Sequence, residues 1–311
     1  MDVIRMFNFK ENGVWPTMIT PFTQDNKVDE AGLEKMIEWY IGKGVDGLFA
    51  VCQSSEMFFL SLEERVKMAR FVKEIAGDRI PVIASGHISD SMEDQIIELR
   101  SIADTGVDAV VLVSNRLAVQ NQSDEFWKEN VERILKEVPD AAFGIYECPY
   151  PYKRLISPEL LKWCADTGRF YFLKDTCCNV EQMEAKANAV KGSKLKVYNA
   201  NAATLLESLR RSVSGYSGVM ANFHPDLYGW LAKNWNTEPE KAEKLQNFLG
   251  VASLVEGQVY PVNAKYHMQL EGINIKLHSR SRDQHTFTGA NRKEIEQLYA
   301  LERSYIEQYA K

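Results

Sequence analysis

The sequence predicts an α/β chain folded as a (β/α)8 barrel of the TIM type with an α-helical C-terminal extension. Three observations carry that prediction. Short, nearly continuous apolar runs alternate with segments of helical periodicity, the pattern of parallel strands buried on both faces. Eight such alternations fit between residues 14 and 235, within the roughly 250 residues that a barrel of this kind uses. No Gly-x-Gly-x-x-Gly follows an early strand, which argues against the nearest alternative, an open doubly wound sheet. The expected organisation is a barrel over residues 1–235 and a helical extension over 236–311.

Each element has a local reason. Residues 14–19 read as the first strand, ended by Thr20-Pro21. Asp29 caps a helix whose apolar residues Leu33, Met36, Ile37, Tyr40 and Ile41 recur at helical spacing, and Gly42 and Gly44 end it. The run 47–51 is a second strand, leading into the polar turn Cys52-Gln53-Ser54-Ser55-Glu56. Ser61 with Glu64 three residues on is a capping box for the next helix. Residues 80–84 form a third strand with the polar exit Ser85-Gly86-His87. A helix over 91–104 comes next, with Ile96, Ile97 and Ile102 expected inward.

A fourth strand spans 108–113, a loop 114–123, and Asp124 begins a helix. The fifth strand, 141–146, runs into a proline-rich loop. Ser157-Pro158-Glu159 starts a helix with proline in its first turn. Phe170-Tyr171-Phe172-Leu173-Lys174-Asp175 is the sixth strand, and 180–190 has helical character. Residues 195–198 and 218–221 are the seventh and eighth strands, with a helix over 202–211 between them. Pro225 opens another helix. Beyond it come three more helices, over 238–256, 261–270 and 291–309.

Composition excludes several functions. The 311 residues carry a net charge of −6 and no basic stripe, which disfavours nucleic acid as a partner. No apolar run reaches the ~18 residues of a membrane helix, and residues 1–13 lack the apolar core of a secretory signal. The five cysteines, Cys52, Cys148, Cys164, Cys177 and Cys178, show no metal spacing. They read as reduced thiols of a cytoplasmic protein. Cys177 and Cys178 are either small side chains in the packing or reactive groups. No metal or cofactor is expected.

In such a barrel the site lies at the C-terminal ends of the strands. Lys174 ends an apolar strand. A lysine held in an apolar wall loses hydration and becomes a neutral nucleophile that condenses with a carbonyl. The alternative is a lysine that snorkels to solvent. Tyr146 ends the neighbouring strand, where its phenol can transfer protons to the same substrate or simply be a core hydroxyl. Gln53, Ser54 and Ser55 offer hydroxyls and N–H groups for a carboxylate, or only loop polarity. Asn222 comes just after the eighth strand. His87 and His224 read as loop histidines.

These residues give the chain a resemblance to the dihydrodipicolinate synthase / N-acetylneuraminate lyase superfamily of pyruvate-type class I aldolases. Cys52-Gln53-Ser54-Ser55-Glu56 stands where that family has Gly-(Thr/Ser)-Thr-Gly-Glu, and Leu60-Ser61 with Glu64-Arg65 matches the family's next segment. Tyr146-Glu147-Cys148-Pro149 is similar to Tyr-Asn-x-Pro, Leu173-Lys174-Asp175-Thr176 to the Lys-Asp-Ser segment, and 218–225 with Asn222 to Gly-x-x-x-x-Asn-x-x-Pro. The resemblance implies that Lys174 forms an imine with a 2-oxo acid, foremost pyruvate, and that Tyr146 transfers protons. It further implies an aldehyde-type second substrate and a homo-oligomer, dimer or tetramer. Gln53 replaces a hydroxyl residue, residues 114–121 hold no tyrosine, and Pro151 stands at the synthase's arginine position with Arg154 nearby. Those departures point to an electrophile different from the synthase's. True dihydrodipicolinate synthase or N-acetylneuraminate lyase activity is the alternative, and a non-catalytic ligand-binding barrel is a third reading.

Overall fold

The structure, a computed structural model, describes residues 9–309; the reading of residues 1–8 as part of a non-secretory N-terminus lies outside them. Eight parallel strands make one sheet: β1 (Gly13–Val14), β2 (Leu48–Phe49), β3 (Val82–Ala84), β4 (Ala109–Val113), β5 (Phe143–Tyr146), β6 (Phe170–Asp175), β7 (Lys196–Asn199) and β8 (Gly215–Tyr216). They run in order from β2 to β8, with β1 beside β8. The ring closes just past β1. Thr17 bridges Phe49 in parallel, Met18 N–H donates to Phe49 O at 3.0 Å, and Phe49 N–H donates to Pro16 O at 3.0 Å. The sheet therefore has no free edge, and the expected (β/α)8 barrel is observed.

Aromatic side chains fill the barrel. Phe49 and Phe172 stand on strands across the ring from one another, yet their centroids are 6.1 Å apart. Trp15 lies 5.3 Å from Phe172, and Tyr198 stacks on Phe172 at 4.7 Å. The seam between β1 and β8 demands glycine. Gly215 has φ of 141°, and a Cβ there would sit 2.0 Å from Gly13 O.

The helices are α1 (Glu30–Gly42), α2 (Leu62–Ala76), α3 (Met92–Ala103), α4 (Ser114–Leu117), α5 (Asp124–Glu137), α6 (Pro158–Asp166), α7 (Val180–Ala189), α8 (Leu205–Arg210), α9 (Pro225–Asn234), α10 (Pro239–Ala252), α11 (Val262–Leu270) and α12 (Gly289–Tyr309). The expected caps form: Asp29 accepts from Gly32 N–H, and Ser61 and Glu64 exchange both bonds of a capping box. Such a cap stabilises by ~1 kcal/mol. None of the described helices is long and apolar enough to cross a membrane.

Several local expectations are corrected. Strand β8 is Gly215–Tyr216, and Val219–Asn222 is a 3-10 turn. The close approach at Gly215 places the pairing earlier than the apolar run at 218–221 suggests. Residues 114–117 are a one-turn helix rather than plain loop. Ile97 is 54% exposed, on the far side of α3 from the buried stripe of Ile96, Leu99 and Ile102. The segment read as one helix over 238–256 is α10 followed by a separate 3-10 turn, Ser253–Gly257.

Candidate active site

At the C-terminal ends of the strands lies a cavity of about 580 Å³. Lys174 and Tyr146 both line it. They are direct partners in the β5–β6 ladder, in which β6 carries one extra residue after Phe143 pairs Phe170. Their side chains therefore leave the sheet on the same face. Lys174 Nζ stands 4.6 Å from the centre of the Tyr146 ring, and the Tyr146 ring meets Phe49 edge-on at 5.7 Å. Both residues are buried, Lys174 at 4% exposure. Burial depresses the lysine's proton affinity. Burial also holds the Tyr146 phenol well above its usual range, as a neutral donor.

A buried charge cluster fixes both strand ends. Glu147 and Asp175 each follow or end a strand, and Lys186 Nζ of α7 lies 2.6 Å from each carboxylate. The remaining Glu147 oxygen accepts Thr176 N–H at 2.9 Å. Tyr146 and Lys174 are thus each one residue from an anchored carboxylate.

The turn after β2 supplies the facing wall. Gln53 lines the cavity, and its Oε1 accepts from the Tyr146 hydroxyl at 3.3 Å and from Cys148 Sγ at 3.5 Å. Ser54 also lines it and donates to Thr17 Oγ1 at 3.1 Å. Ser55 does not reach the cavity. Its Oγ lies 2.7 Å from the carbonyls of Met18 and Ala50, so it ties the turn to the barrel seam. Glu56, at φ of 62°, accepts from Lys265 Nζ (2.9 Å), Ser279 Oγ (2.8 Å) and the N–H groups of Arg280 and Ser281 (2.7 Å each). That clamp brings the segment after α11 to the cavity mouth.

Asn222 stands behind the wall rather than in it. Its Nδ2 lies 2.9 Å from Thr17 O and 3.0 Å from the Tyr260 hydroxyl, so it positions Tyr260, which does line the cavity. Arg154 is brought elsewhere: it donates to Val119 O, Gln122 O and Asp124, closing the loop before α5. Sequence reasoning missed Phe58, Tyr150, Glu256, Tyr260 and Arg282, all in the lining. Tyr150 is one of two tyrosines in the proline-rich loop, and nothing in the sequence separates it from Tyr152, whose hydroxyl is turned to Asn115 O and Ala118 O. The other late residues reach the site only through tertiary packing of the extension.

His87 is buried, accepts Val113 N–H, and burial lowers its pKa to about 4, so it is a neutral structural group. His224 belongs to a buried His224–Glu302–His267 cluster. The five cysteines are unbridged, and burial with the nearby Asp175 pushes Cys177 up to about 12, far from a reactive thiolate. Among the described residues no His, Cys, Asp and Glu group could hold a metal.

Fold and cavity define a (β/α)8 barrel with a lysine-centred pocket. Residues 10–294 match the dihydrodipicolinate synthetase family, and the chain belongs to that family. It is accordingly an enzyme of the class I aldolase and lyase kind. Among its relatives is the 4-hydroxy-tetrahydrodipicolinate synthase of Clostridium perfringens, 25% identical over 260 residues, covering 83% of this chain and 87% of the relative. A second is YagE of Escherichia coli K12, a proposed 2-dehydro-3-deoxy-D-gluconate aldolase, 28% identical over 233 residues, covering 72% of this chain and 74% of YagE. Its crystal structure in complex with pyruvate superposes with a TM-score of 0.82 over 96% of this chain and 98% of that one, at 23% identity. Dihydrodipicolinate synthase DapA-2 from Bacillus anthracis gives a TM-score of 0.85 at 21% identity, over 95% and 99% of the two chains.

Proposed function

We propose that the protein joins or cleaves a carbon–carbon bond between a 2-oxo acid, pyruvate first, and an aldehyde through an imine on Lys174. The observation that carries the reading is the in-register pair at the cavity, a desolvated lysine beside a neutral phenol. The Lys174 amine adds to C2 of the 2-oxo acid. Loss of water gives an iminium, which draws electrons from C3 so that a C3 proton leaves and an enamine forms. The enamine carbon attacks the aldehyde, the new alkoxide takes a proton, and hydrolysis frees the 4-hydroxy-2-oxo acid; cleavage is the reverse. Tyr146 relays protons. Ser54, with nearby N–H groups, holds the 2-oxo acid carboxylate, while Gln53 and the 147–154 loop shape the second substrate. The pyruvate bound to YagE supports pyruvate as donor.

A synthase's own electrophile is the second reading, and one observation weighs against it. Arg154 is committed to the loop before α5, so the cavity's guanidinium is Arg282 instead. The test is borohydride trapping with a panel of 2-oxo acids, read by mass spectrometry at Lys174. An adduct with pyruvate supports the proposal. Absence of any adduct at neutral pH sinks the lysine assignment and favours the non-catalytic barrel. Size-exclusion chromatography with light scattering checks the dimer or tetramer that we carry forward with this reading.

A further inference from the structure

Glu256 lines the same cavity from the 3-10 turn Ser253–Gly257 that comes after α10. One of its carboxylate oxygens is shielded from solvent and has no hydrogen-bond partner among the described residues. Other buried carboxylates carry protein donors: Glu56 has four, Glu147 and Glu302 have theirs, and Glu271, which also keeps one shielded oxygen unpartnered, pairs its second oxygen with Trp39 and Lys43. An unsatisfied one is costly to keep, so its partner is to be sought in a ligand or an intermediate.

Its charge acts on few groups. Lys174 at the end of β6 is the cation that opposes its protonation. Around it stand the hydroxyls of Tyr216 of β8, Tyr228 of α9 and Tyr260. Tyr146, Glu56 and Arg282 line the same cavity, and Glu56 is already paired with Lys265. Burial raises the Glu256 carboxyl to about 7, the Lys174 charge pulling the other way. Burial lowers Lys174. Two groups of one cavity thus have proton affinities moved towards each other, the arrangement that lets one side chain be neutral while the other stores a proton.

On the Schiff-base reading, we propose that Glu256 is a second catalytic acid–base group of the site, protonating the departing hydroxyl of the carbinolamine and then standing as the counter-ion of the iminium. The step balances. A neutral lysine amine, the C2 carbonyl and a protonated Glu256 become a protonated imine, one water and a Glu256 carboxylate. The C–O bond breaks with its electron pair leaving on oxygen, the nitrogen lone pair forms the C=N bond, and the two lysine protons divide between water and iminium nitrogen. Tyr146 does not take this role, because burial disfavours the phenolate that would be left facing the iminium. A phenol relays protons, but a carboxylate can stay charged opposite a cation.

The experiment measures the rate of Lys174 trapping by borohydride with pyruvate from pH 5 to 9, in the wild type, Glu256→Gln and Glu256→Asp. The expected wild-type profile inflects near 7. Glu256→Gln should lose that inflection and trap about 100-fold more slowly, the scale of a positioned general acid, with half-saturation by pyruvate changed much less. Glu256→Asp should recover part of the rate and the inflection, and it also serves should the glutamine variant not fold. Trapping by Glu256→Gln within about threefold of wild type, with the same pH profile, overturns the role of Glu256 while leaving the imine on Lys174 standing. A wild type that forms no adduct overturns both.

Discussion

Tyr146 and Lys174 stand opposite one another in the β5–β6 ladder because β6 holds one residue more than β5 below them. Gly144 takes part in this arrangement: it pairs with Phe172, and a Cβ there would lie 3.2 Å from the Phe172 Cβ. The barrel filler Phe172 and the proposed nucleophile Lys174 are two residues apart on one strand, so the packing of the core sets the direction of the lysine. Lys174→Ala should therefore abolish trapping and turnover while leaving thermal unfolding nearly unchanged or improved, since it removes a desolvated amine. Tyr146→Phe should still trap pyruvate but lower kcat by about 10²–10⁴, read by steady-state kinetics on whichever aldehyde proves productive.

The Lys186 ammonium between Glu147 and Asp175 is the support beneath that pair. Lys186→Met leaves two buried carboxylates facing each other without a cation. Burial, then the Asp175 charge, already raises the Glu147 pKa against the lysine's opposing pull. Breaking such a pair costs ~3–5 kcal/mol, which urea unfolding would register. Trapping at Lys174 should slow as well, because both strand ends lose their anchor. A variant with full stability would show that the cluster holds nothing.

How far the sequence reached can be judged at single residues. The central strands were legible because they are buried on both faces and hence nearly continuous in apolar residues, whereas the two-residue β8 is placed too late by the apolar run at 218–221. The helix starts were legible because Asp29, Ser61 and Ser157 carry their caps locally. Lys174, Tyr146, Gln53 and Ser54 were legible from strand-end position and all line the cavity. The extra residue in β6 left no local mark, since Tyr171 is as apolar as its neighbours. Glu256 and Arg282 were invisible for another reason. The approach of Arg282 depends on Glu56 accepting from Arg280 N–H and Ser281 N–H, 224 and 225 residues away in the chain. Glu256 comes in on the turn Ser253–Gly257, whose Val255 O accepts from Asn263 Nδ2 of α11 at 2.8 Å.

The buried Glu302 predicts an acid-side loss of stability. Burial raises its pKa, but His267 and His224 outweigh that and leave it lowered to about 2. A depressed folded-state value contributes stability above the unfolded value of about 4.3, and that contribution is lost as pH falls from there through about 2. The denaturation midpoint of the wild type should drop across this window. Glu302→Gln should be less stable at neutral pH by a few kcal/mol and show a shallower decline on acidification. Equal slopes for the two proteins would exclude Glu302 as a source of the acid sensitivity.

Two arginines separate loop structure from substrate recognition. Arg154 spends its guanidinium on Val119 O, Gln122 O and Asp124, whereas Arg282 lines the cavity and is exposed. Arg154→Ala should destabilise by about 1 kcal/mol through the loss of its partly exposed hydrogen bonds to Val119 O, Gln122 O and Asp124, with any kinetic change arising from the loosened loop. Arg282→Ala should unfold within about 0.5 kcal/mol of wild type, as surface substitutions do, yet raise KM for a carboxylate-bearing substrate about tenfold or more. That rise should shrink as salt is added, because an exposed cation is screened. A neutral aldehyde should be converted equally well by wild type and Arg282→Ala. If the KM of an anionic substrate is also unchanged by Arg282→Ala, the cavity reads its substrates without this charge, and the polar wall of Gln53 and Ser54 must supply the whole recognition.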